Sequence, residues 1–501
     1  MLAAALVLAG AEAAAAQPVR VAVRVVPVFP LERYASRGAV GSMVPASGST
    51  VSRATALASL TRGKLENALL GGKPKGKARI SLGGPPAPVT IYVALPPPGT
   101  HHNLDRYPIA IVGGGYRGLL LSSSTRIPGL VSIADVAPSV RSLERGEKPI
   151  LTSRPSTDAV GELATTNARL SAAHFARKTS TRVLIGLVFG FAALAWLLRS
   201  PLFGRAALLS IPAMVLASTI ASAVHVEHGV AWWSGAIALL LTLPLAIAAR
   251  SLGLMAIALA ALLDAYALFL LFWSTTVSLA ALGPHPEGGG RYFGLTNQIE
   301  TLLLAPALAL GALVELPLLA LVALASLVVV GWSRFGADGG GLIVYAAGFA
   351  TLALLSGRDR LSAARAALAA AAVVAVGLAL VGVDAVTGGS SHVTHAVGGG
   401  PGALASDLWH RLRLSWRGIV NKSDHLLIAL VSLATLVVLA LLRPRSRTLD
   451  ALLVALAVSL AVNDSGFDIL RFGALAAIAV FTWSRSLAWR DRTNVRGGAR
   501  Q

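Results

Sequence analysis

The pattern of hydrophobic and polar positions divides the chain into a mixed first part and a long apolar second part. In the first part, short β-rich runs such as residues 19–28 and 89–95 are separated by Gly, Pro, Ser and charged residues, with helical stretches such as residues 55–70 between them. Strands that alternate with helices are typical of an α/β layer fold. The pattern therefore predicts an α/β domain over residues 17–181.

From Arg182 onward, apolar runs alternate with short polar breaks. A helix needs ~20 residues to cross a bilayer, and the backbone polar groups of a spanning segment must be hydrogen-bonded within the protein. The runs are too apolar for the strands of a barrel, so an α-helical polytopic membrane bundle of about eleven spans is predicted over residues 182–485. The runs are residues 183–198, 206–224, 230–249, 252–282, 301–314, 316–332, 342–355, 366–383, 426–442, 452–462 and 473–483.

The composition agrees with a membrane protein, because 55% of the residues are hydrophobic, 13% are charged and the mean hydropathy is +0.70. Soluble globular chains are less apolar. Residues 1–16 form a short apolar run that ends in small residues, which predicts a secretory signal peptide or, because the run lacks Lys and Arg, an uncleaved N-terminal anchor. Cysteine is absent, which excludes disulfides and thiolate metal sites.

The formal net charge of +20 is concentrated before about residue 182, in short connections between apolar runs, and near the C-terminus. Arg-rich connections are expected on the cytoplasmic side of a membrane. This rule predicts a plasma-membrane protein with an extracytoplasmic N-terminal domain and a basic cytoplasmic tail over residues 486–501. The run 252–282 is long enough for two short helices, which would reverse the orientation of everything that follows.

The excess of basic residues also restricts the choice of partners. Basic surface attracts anionic lipid head groups, polyphosphates or nucleic acid, and the membrane context favours the first two. Membrane lipids are therefore predicted partners and nucleic acid is not. A basic aromatic helix is expected over residues 407–418, lying in the outer membrane interface.

Several stretches of the first domain resemble the alkaline phosphatase superfamily. They are residues 37–45 (RGAVGSMVP), 56–64 (ALASLTRGK) and 106–140, which includes 124–131 (STRIPGLV) and 135–139 (DVAPS). The resemblance implies an α/β fold. The metal-binding Asp that the superfamily carries after its first strand and its later Asp-His pair have no counterpart here. We therefore expect a degenerate domain that binds or scaffolds, possible partners being other envelope proteins, rather than one that hydrolyses phosphate esters.

His101, His102 and Asp105 lie close together in the sequence of this domain. Imidazole and carboxylate groups are suitable metal ligands, but three residues in one loop do not complete a site. A solvated loop is the favoured interpretation, so no metal site is predicted, and the sequence leaves the cofactor open.

Four polar, glycine-containing motifs fall on the predicted extracytoplasmic side of the membrane half. Glycine allows close backbone approach and positive φ, so each motif could begin or break a helix and present backbone N–H groups to an anion. Polar side chains at membrane depth are by default a hypothesis of function. The motifs are residues 288–300, 333–341, 388–395 and 463–471.

The candidate binding residues each have a structural alternative. Arg291 and Arg334 either bind an anion or extend to the membrane interface from helix ends. Asn297 and Gln298 either bind a ligand or form hydrogen bonds between helices.

Asn463 and Asp464 either bind a ligand or form a tight turn between two spans. Asp264 lies inside the fourth apolar run and is expected to face the bundle.

The candidate catalytic residues are Glu300, Asp338, His392 and His395. Glu300 is either a general base or a structural partner of an arginine. Asp338, which has glycines close on both sides, is either a functional carboxylate or a helix N-cap. His392 and His395 would share one face of a helix, or else belong to a flexible loop.

The membrane half also resembles the bacterial O-antigen ligase and polymerase group. The resemblance is carried by residues 290–297 (GRYFGLTN) and 333–336 (SRFG), and the Asn-Pro-Asn segment typical of the group is missing. It implies that Arg291 and Arg334 hold a polyprenyl diphosphate, and that one of His392, His395 and Glu300 deprotonates the acceptor hydroxyl. A lipid-linked anionic glycan precursor is then the expected substrate.

Two other functions remain open at this point. A transporter or flippase of an envelope component also gathers polar groups in a membrane cavity, and Asp264 with Glu300 would suit cation or proton coupling. A non-catalytic envelope scaffold would use the α/β domain to recruit a partner. Transport sites lie near the bilayer midplane, whereas these motifs lie at one face.

Overall fold

The computed structural model describes residues 17–65, 77–332, 334–336, 338–356, 409, 412–420 and 423–498, with side chains to residue 489. The structure is 64% helical. The predicted signal peptide and the apolar run 366–383 lie outside the described residues. The side chains of most of the basic tail are also not described.

The chain divides into two compact units. The first contains the described residues up to Ala168 and a separate short segment, His285–Tyr292. The second contains Arg169–Pro284 and the described residues from Phe293 onward.

A mixed seven-stranded β-sheet forms the centre of the first unit. The strands of this unit are β1 (Val21–Val25), β2 (Gly38–Val44), β3 (Thr50–Ser52), β4 (Val89–Val93), β5 (Thr100–His102), β6 (Tyr107–Gly113), β7 (Gly118–Ser122), β8 (Leu130–Ser132) and β9 (Leu151–Arg154). The sheet order is β1-β4-β6-β2-β7-β9, with β8 also paired to β2, and β3 pairs separately with β5. The pairings give β1, β2, β4, β7 and β8 one direction and β6 and β9 the other.

Helices cover both faces of this sheet. The helices are α1 (Leu31–Ala35), α2 (Arg53–Arg62), α3 (Val136–Glu144) and the first turns of α4 (Ala159–Leu198). Successive strand residues point to opposite faces, so Leu120 joins one apolar core and its neighbour Leu119 joins the other. Ala159 and Leu163 of α4 belong to the second of these cores. The predicted α/β domain is confirmed.

The second unit is built from helices. They are the rest of α4, α5 (Pro201–Ala223), α6 (Val230–Ala248), α7 (Leu252–Phe272), α8 (Ser274–Ser278), α9 (Asn297–Leu313), α10 (Leu316–Gly331), α11 (Gly339–Ser356), α12 (Ser423–Leu441), α13 (Arg447–Val462) and α14 (Gly466–Gly498). Residues 412–420 are also helical and overlap the stretch 407–418, where a basic aromatic helix is predicted. The boundary predicted at residues 181 and 182 falls inside the continuous helix α4.

Among the described residues, seven helices are long and apolar enough to cross a membrane, namely α4, α5, α6, α7, α11, α12 and α14. Two further apolar helices, α9 and α10, are shorter. The prediction of a polytopic helical membrane protein is confirmed in this form, while about eleven spans and their orientation stay predictions. The long run 252–282 contains one crossing helix, α7, followed by the five-residue α8.

Helices α5 and α14 lie at the centre of the second unit. The apolar window of α5 is 89% buried and that of α14 is 72% buried, whereas that of α12 is only 22% buried. Small residues of α5, such as Ala206, Ala213 and Ala217, allow neighbouring helices to approach closely. Both central helices pack against α9.

Candidate functional site at three helix starts

Three helices of the second unit, α9, α11 and α14, begin beside one another. Their first residues and the residues just before them are 296–300, 338–341 and 463–466, which we call the helix-start cluster. Each of these stretches contacts another member of the cluster, although they are far apart in sequence. The geometry of each start follows from a small number of local interactions.

The start of α9 is fixed by a cap and by the loop that precedes α11. The Oγ1 atom of Thr296 accepts a hydrogen bond from the N–H of Ile299 at 3.3 Å, which is an N-cap interaction. The N–H of Leu295 donates to the carbonyl oxygen of Gly336 at 3.0 Å. Gly294 has φ of +82°, and a Cβ there would overlap that same carbonyl, so only glycine fits. The loop between α10 and α11 is thereby held against the entry to α9.

Asp338 caps the start of α11. Its Oδ1 atom accepts hydrogen bonds from the N–H groups of Gly340 at 3.0 Å and Gly341 at 3.1 Å. Its side chain is 5% exposed. The sequence had left a capping role and a functional carboxylate open for Asp338, and the geometry provides the cap.

Glu300 lies inside the cluster, one turn into α9, and is 1% exposed. Its carboxylate packs so closely on Gly341 that a Cβ at that position would overlap it. The hydroxyl of Tyr345 donates to the backbone carbonyl of Glu300 at 3.1 Å. The carboxylate of Glu300 therefore lies against the first turn of α11.

Asn463 is held between α13, α14 and α11. Its Nδ2 donates to the Oγ of Ser459 at 3.0 Å, and a Cβ on Gly340 would overlap its Oδ1. Ser415 Oγ donates to the carbonyl of Asn463 and accepts from the N–H of Gly466, both at 3.1 Å. Asn463 is 2% exposed, and these contacts fix the positions of the three helices around it.

Asn297 and Asp464 meet on the more open side of the cluster. The Nδ2 of Asn297 donates to Oδ1 of Asp464 at 2.9 Å, and the Oγ of Ser465 donates to the same oxygen at 3.1 Å. Gln298 is 7% exposed, and its Nε2 has no hydrogen-bond partner among the described residues. A buried amide without a partner is costly, so this group is available to a ligand.

A second set of polar residues near the start of α14 is not among the predicted site residues. Asp468 and Arg471 form an ion pair at 3.0 Å, with the guanidinium 4.2 Å from the Phe472 ring centroid. His425 stacks on Phe467 with centroids 4.1 Å apart. Both residues lie in the polar motif 463–471. The sequence signal for the pair is the spacing of an acidic and a basic residue three positions apart.

The remaining predicted site residues are Arg291, Arg334, His392 and His395. Arg291 belongs to the first compact unit, whereas Asn297 to Glu300 belong to the second. Arg334 is exposed, with its guanidinium 6.0 Å from the Trp332 ring centroid. His392 and His395 lie outside the described residues. Asp264 is exposed on α7, contrary to the expectation that it faces the bundle.

The segment His285–Tyr292 is held within the first unit at the edge where the parallel strands end. The carbonyl of Gly288 accepts hydrogen bonds from the N–H of Gly48 at 3.1 Å and from Nδ2 of Asn103 at 3.3 Å. Gly289 has φ of +66°, and a Cβ there would overlap the carbonyl oxygen of Ala46. This part of the glycine-rich motif therefore serves the α/β unit.

Asp135, in one of the stretches that resemble the alkaline phosphatase superfamily, organises the loop after β7. Its Oδ2 accepts hydrogen bonds from Ser122 Oγ and Ser124 Oγ, both at 2.7 Å, and from the N–H of Ser132 at 3.1 Å. Burial raises the pKa of Asp135, while these three hydrogen bonds act in the opposite direction. Burial also raises the pKa of Tyr292, which lies nearby in this unit. The arrangement is a structural polar network around a short helical turn.

Two histidines of the first unit, His101 and His102, form part of a β-strand pair. His101 and His102 lie on β5, which pairs with β3, and the Nε2 of His101 is 2.9 Å from the carbonyl of Pro98. No group of three or more His, Cys, Asp or Glu side chains within the described ranges is arranged to hold a metal ion.

Comparisons of the chain with protein-family models, with curated proteins and with solved structures found no match. The interpretation of the helix-start cluster therefore depends on its own geometry and chemistry.

Proposed function

We propose that the protein binds a lipid-linked, anionic precursor of a cell-envelope glycan at the helix-start cluster and transfers its glycan to an acceptor hydroxyl. The observation that carries the proposal is the convergence of three helix N-termini with polar side chains at the ends of apolar helices. Helix N-termini favour negative charge.

The location of the cluster favours a substrate that stays in the membrane. The polar groups occur at the starts of α9, α11 and α14 rather than in the middle of these helices. A lipid-linked substrate has its polar head group at the bilayer surface and its chain in the hydrocarbon. The cluster would meet such a head group without drawing it to the midplane.

The side chains divide into binding and reacting groups in this proposal. Asn297 and Gln298 supply amide donors to oxygen atoms of the diphosphate or the sugar. Arg334, in the loop before α11, remains a proposed diphosphate ligand, since guanidinium keeps its charge and matches phosphate geometry. Asn463 and Asp338 hold the helix starts in place.

Glu300 is the proposed general base, with His392 and His395 as the alternatives. It accepts the proton of the acceptor hydroxyl as that oxygen forms a bond to the glycosyl carbon. The bond from this carbon to the diphosphate oxygen breaks, and the lipid diphosphate leaves with the bonding electron pair. The burial of Glu300 keeps bulk water away from the carboxylate.

Transport of an envelope component is the second candidate function, and the burial of Glu300 favours it. A carboxylate that is 1% exposed between apolar helices is suited to binding a proton or a cation during a transport cycle. Transfer and transport differ in their products. Only transfer releases a free lipid diphosphate.

Glu300→Gln is expected to abolish most of the transfer while retaining the shape of the side chain. Loss of a general base costs about 10²- to 10⁴-fold in rate. The measurement is release of polyprenyl diphosphate from a polyprenyl-diphosphate-linked oligosaccharide, with an acceptor glycan, in proteoliposomes. The matched control is Glu315→Gln, because Glu315 is an exposed glutamate that precedes α10.

Three results would count against the transfer proposal in this assay. Equal rates for wild type and Glu300→Gln would eliminate Glu300 as the base. No release of polyprenyl diphosphate by wild type would eliminate the transfer reaction. Proton-driven movement of the labelled oligosaccharide across the membrane, lost in Glu300→Gln, would establish transport instead.

Accessibility of single cysteines tests the side of the membrane on which the cluster lies. We expect Ser465→Cys to react with an impermeant maleimide on intact cells and Ser446→Cys to react only after the cytoplasm is opened. Ser446 caps the start of α13, and Ser465 follows its other end. The natural chain has no cysteine, so all label reports the introduced residue. If only Ser446→Cys reacts on intact cells, the orientation of the protein in the membrane is the opposite of the proposed one.

A further inference from the structure

A cavity of about 570 Å³ lies in the first unit, at the edge of the sheet where β7 ends and β9 begins. Its walls come from the loop after β7 and from the residues that lead into β9. Ligand sites of this size are common, and in α/β sheets they occur at the carboxyl ends of parallel strands. The cavity lies within one compact unit, so its description does not depend on the helical unit.

The lining of this cavity is basic and rich in hydroxyl groups. It includes the side chains of Arg126 and Lys148, together with Ser122, Ser123 and Thr152. The lining, all of it in the described part of the chain, contains no Asp or Glu. Two cations and several hydroxyl groups around a concave surface are suited to a phosphate-type anion.

Arg126 is held in an unusual backbone conformation that places it in this loop. Its φ is +57°, in the left-handed region, which glycine adopts without strain and arginine rarely adopts. The N–H of Arg126 donates a hydrogen bond to the carbonyl oxygen of Ser122 at 3.0 Å. The N–H of Gly129 donates one to the carbonyl oxygen of Leu120 at 2.9 Å. Strained residues of this kind concentrate at binding sites, where the surrounding structure maintains them.

Asp135 lies behind this wall, and its Oδ2 oxygen already accepts hydrogen bonds within the protein. The hydroxyls of Ser122 and Ser124 and the N–H of Ser132 all donate to its Oδ2. These bonds hold the loop after β7 in shape from the buried side. Lys148 forms no ion pair with any described residue, so its charge is not neutralised by a partner carboxylate.

We propose that this cavity binds a phosphate or diphosphate group, with Arg126 and Lys148 as the cationic ligands. The group belongs either to a soluble metabolite or to a lipid head group, since both offer the same oxygen atoms. The proposal goes beyond the helix-start cluster and does not rest on the function proposed for it. It gives the α/β unit a binding activity that needs no hydrolytic centre.

The test is calorimetric titration of inorganic pyrophosphate into the full-length protein in nanodiscs of neutral lipid at low salt. We expect saturable binding by wild type and a loss of affinity of at least about tenfold for Arg126→Gly and for Lys148→Ala. Glycine adopts the backbone conformation of Arg126 freely, so Arg126→Gly should retain strands β7 and β9, measured by hydrogen exchange. The matched control is Arg117→Gly, which removes an exposed arginine outside the cavity and should leave the affinity unchanged.

Repeating the titration in nanodiscs that contain phosphatidylglycerol identifies the source of the phosphate. If wild type binds pyrophosphate more weakly in these nanodiscs than in neutral ones, and Arg126→Gly shows no such difference, a lipid head group competes for the cavity. Equal binding in both supports a soluble ligand. Absence of saturable pyrophosphate binding to wild type, or equal affinity of wild type and Arg126→Gly, would overturn the site.

Discussion

Gly341→Ala is expected to reduce glycan transfer by about 100-fold while leaving the helical unit folded. The added methyl group would overlap the carboxylate of Glu300, which is the mobile end of a side chain, so the carboxylate moves rather than the backbone. A displacement of about 1 Å in a reacting group costs on the order of 10²-fold in rate. Release of polyprenyl diphosphate in proteoliposomes measures the effect.

The matched control for this substitution is Gly348→Ala in the same helix. A Cβ at Gly348 would lie 3.2 Å from the Cβ of Ala455 and 3.3 Å from methyl groups of Leu308, which is tight but tolerable. Alanine also favours a helix interior by about 1 kcal/mol over glycine, so the control should remain active.

Tryptophan fluorescence during thermal unfolding shows whether both variants are folded, because all nine tryptophans lie between residues 196 and 489. Equal transfer by Gly341→Ala and wild type would show that the position of Glu300 is unimportant. Equal loss of transfer in both variants would point to general damage to α11.

Gly113→Ala is expected to destabilise the α/β unit by at least about 3 kcal/mol, the range of severe single substitutions. Gly113 ends β6 with φ of +91°, and a Cβ there would overlap the carbonyl oxygen of Pro88 at the start of β4. The oxygen belongs to the backbone just before β4, and the backbone of β6 fixes the position of the Cβ, so relief requires the paired residues Val89 and Gly113 to separate. For a unit of this size the midpoint of unfolding should fall by about 6–12 °C.

Gly115→Ala is the matched control in the same turn. Gly115 also has a positive φ, +79°, but a Cβ there would meet nothing within 4 Å. Only the backbone strain remains, which costs about 1–2 kcal/mol. The difference between the two variants therefore isolates the steric overlap with Pro88.

Hydrogen exchange of the amides in β4 and β6 is the suitable measurement, since the first unit contains no tryptophan. We expect faster exchange across both strands in Gly113→Ala than in Gly115→Ala. Similar exchange in the two variants would contradict the close approach of β4 to β6 at this position.

The hydrophobic pattern was sufficient to predict the class of both halves, an α/β domain followed by apolar helices. Apolar runs became helices because a run of this length can satisfy its backbone only by internal hydrogen bonds. The alternation in β7, where Leu119 and Leu120 face different cores, follows from the two-residue period of a strand. Asp338 was recognised as a possible cap because the interaction is local, spanning only two or three residues.

The arrangement of the candidate site needed contacts between distant parts of the chain. Asn297 and Asp464 are 167 positions apart, and no sequence pattern joins them. The same holds for Glu300 and Gly341, whose close approach depends on the packing of α9 against α11.

The motif from Gly288 to Glu300 shows most clearly what each level determined. By itself the sequence established a polar, glycine-rich segment at the entrance of an apolar run, and from this a candidate site. The tertiary structure divided it, because Gly288 bonds to Gly48 and Asn103 of the α/β unit while Thr296 caps α9 and the residues after it form that helix. Glycine permits both outcomes locally, so only the surfaces that packed against the segment could decide between them.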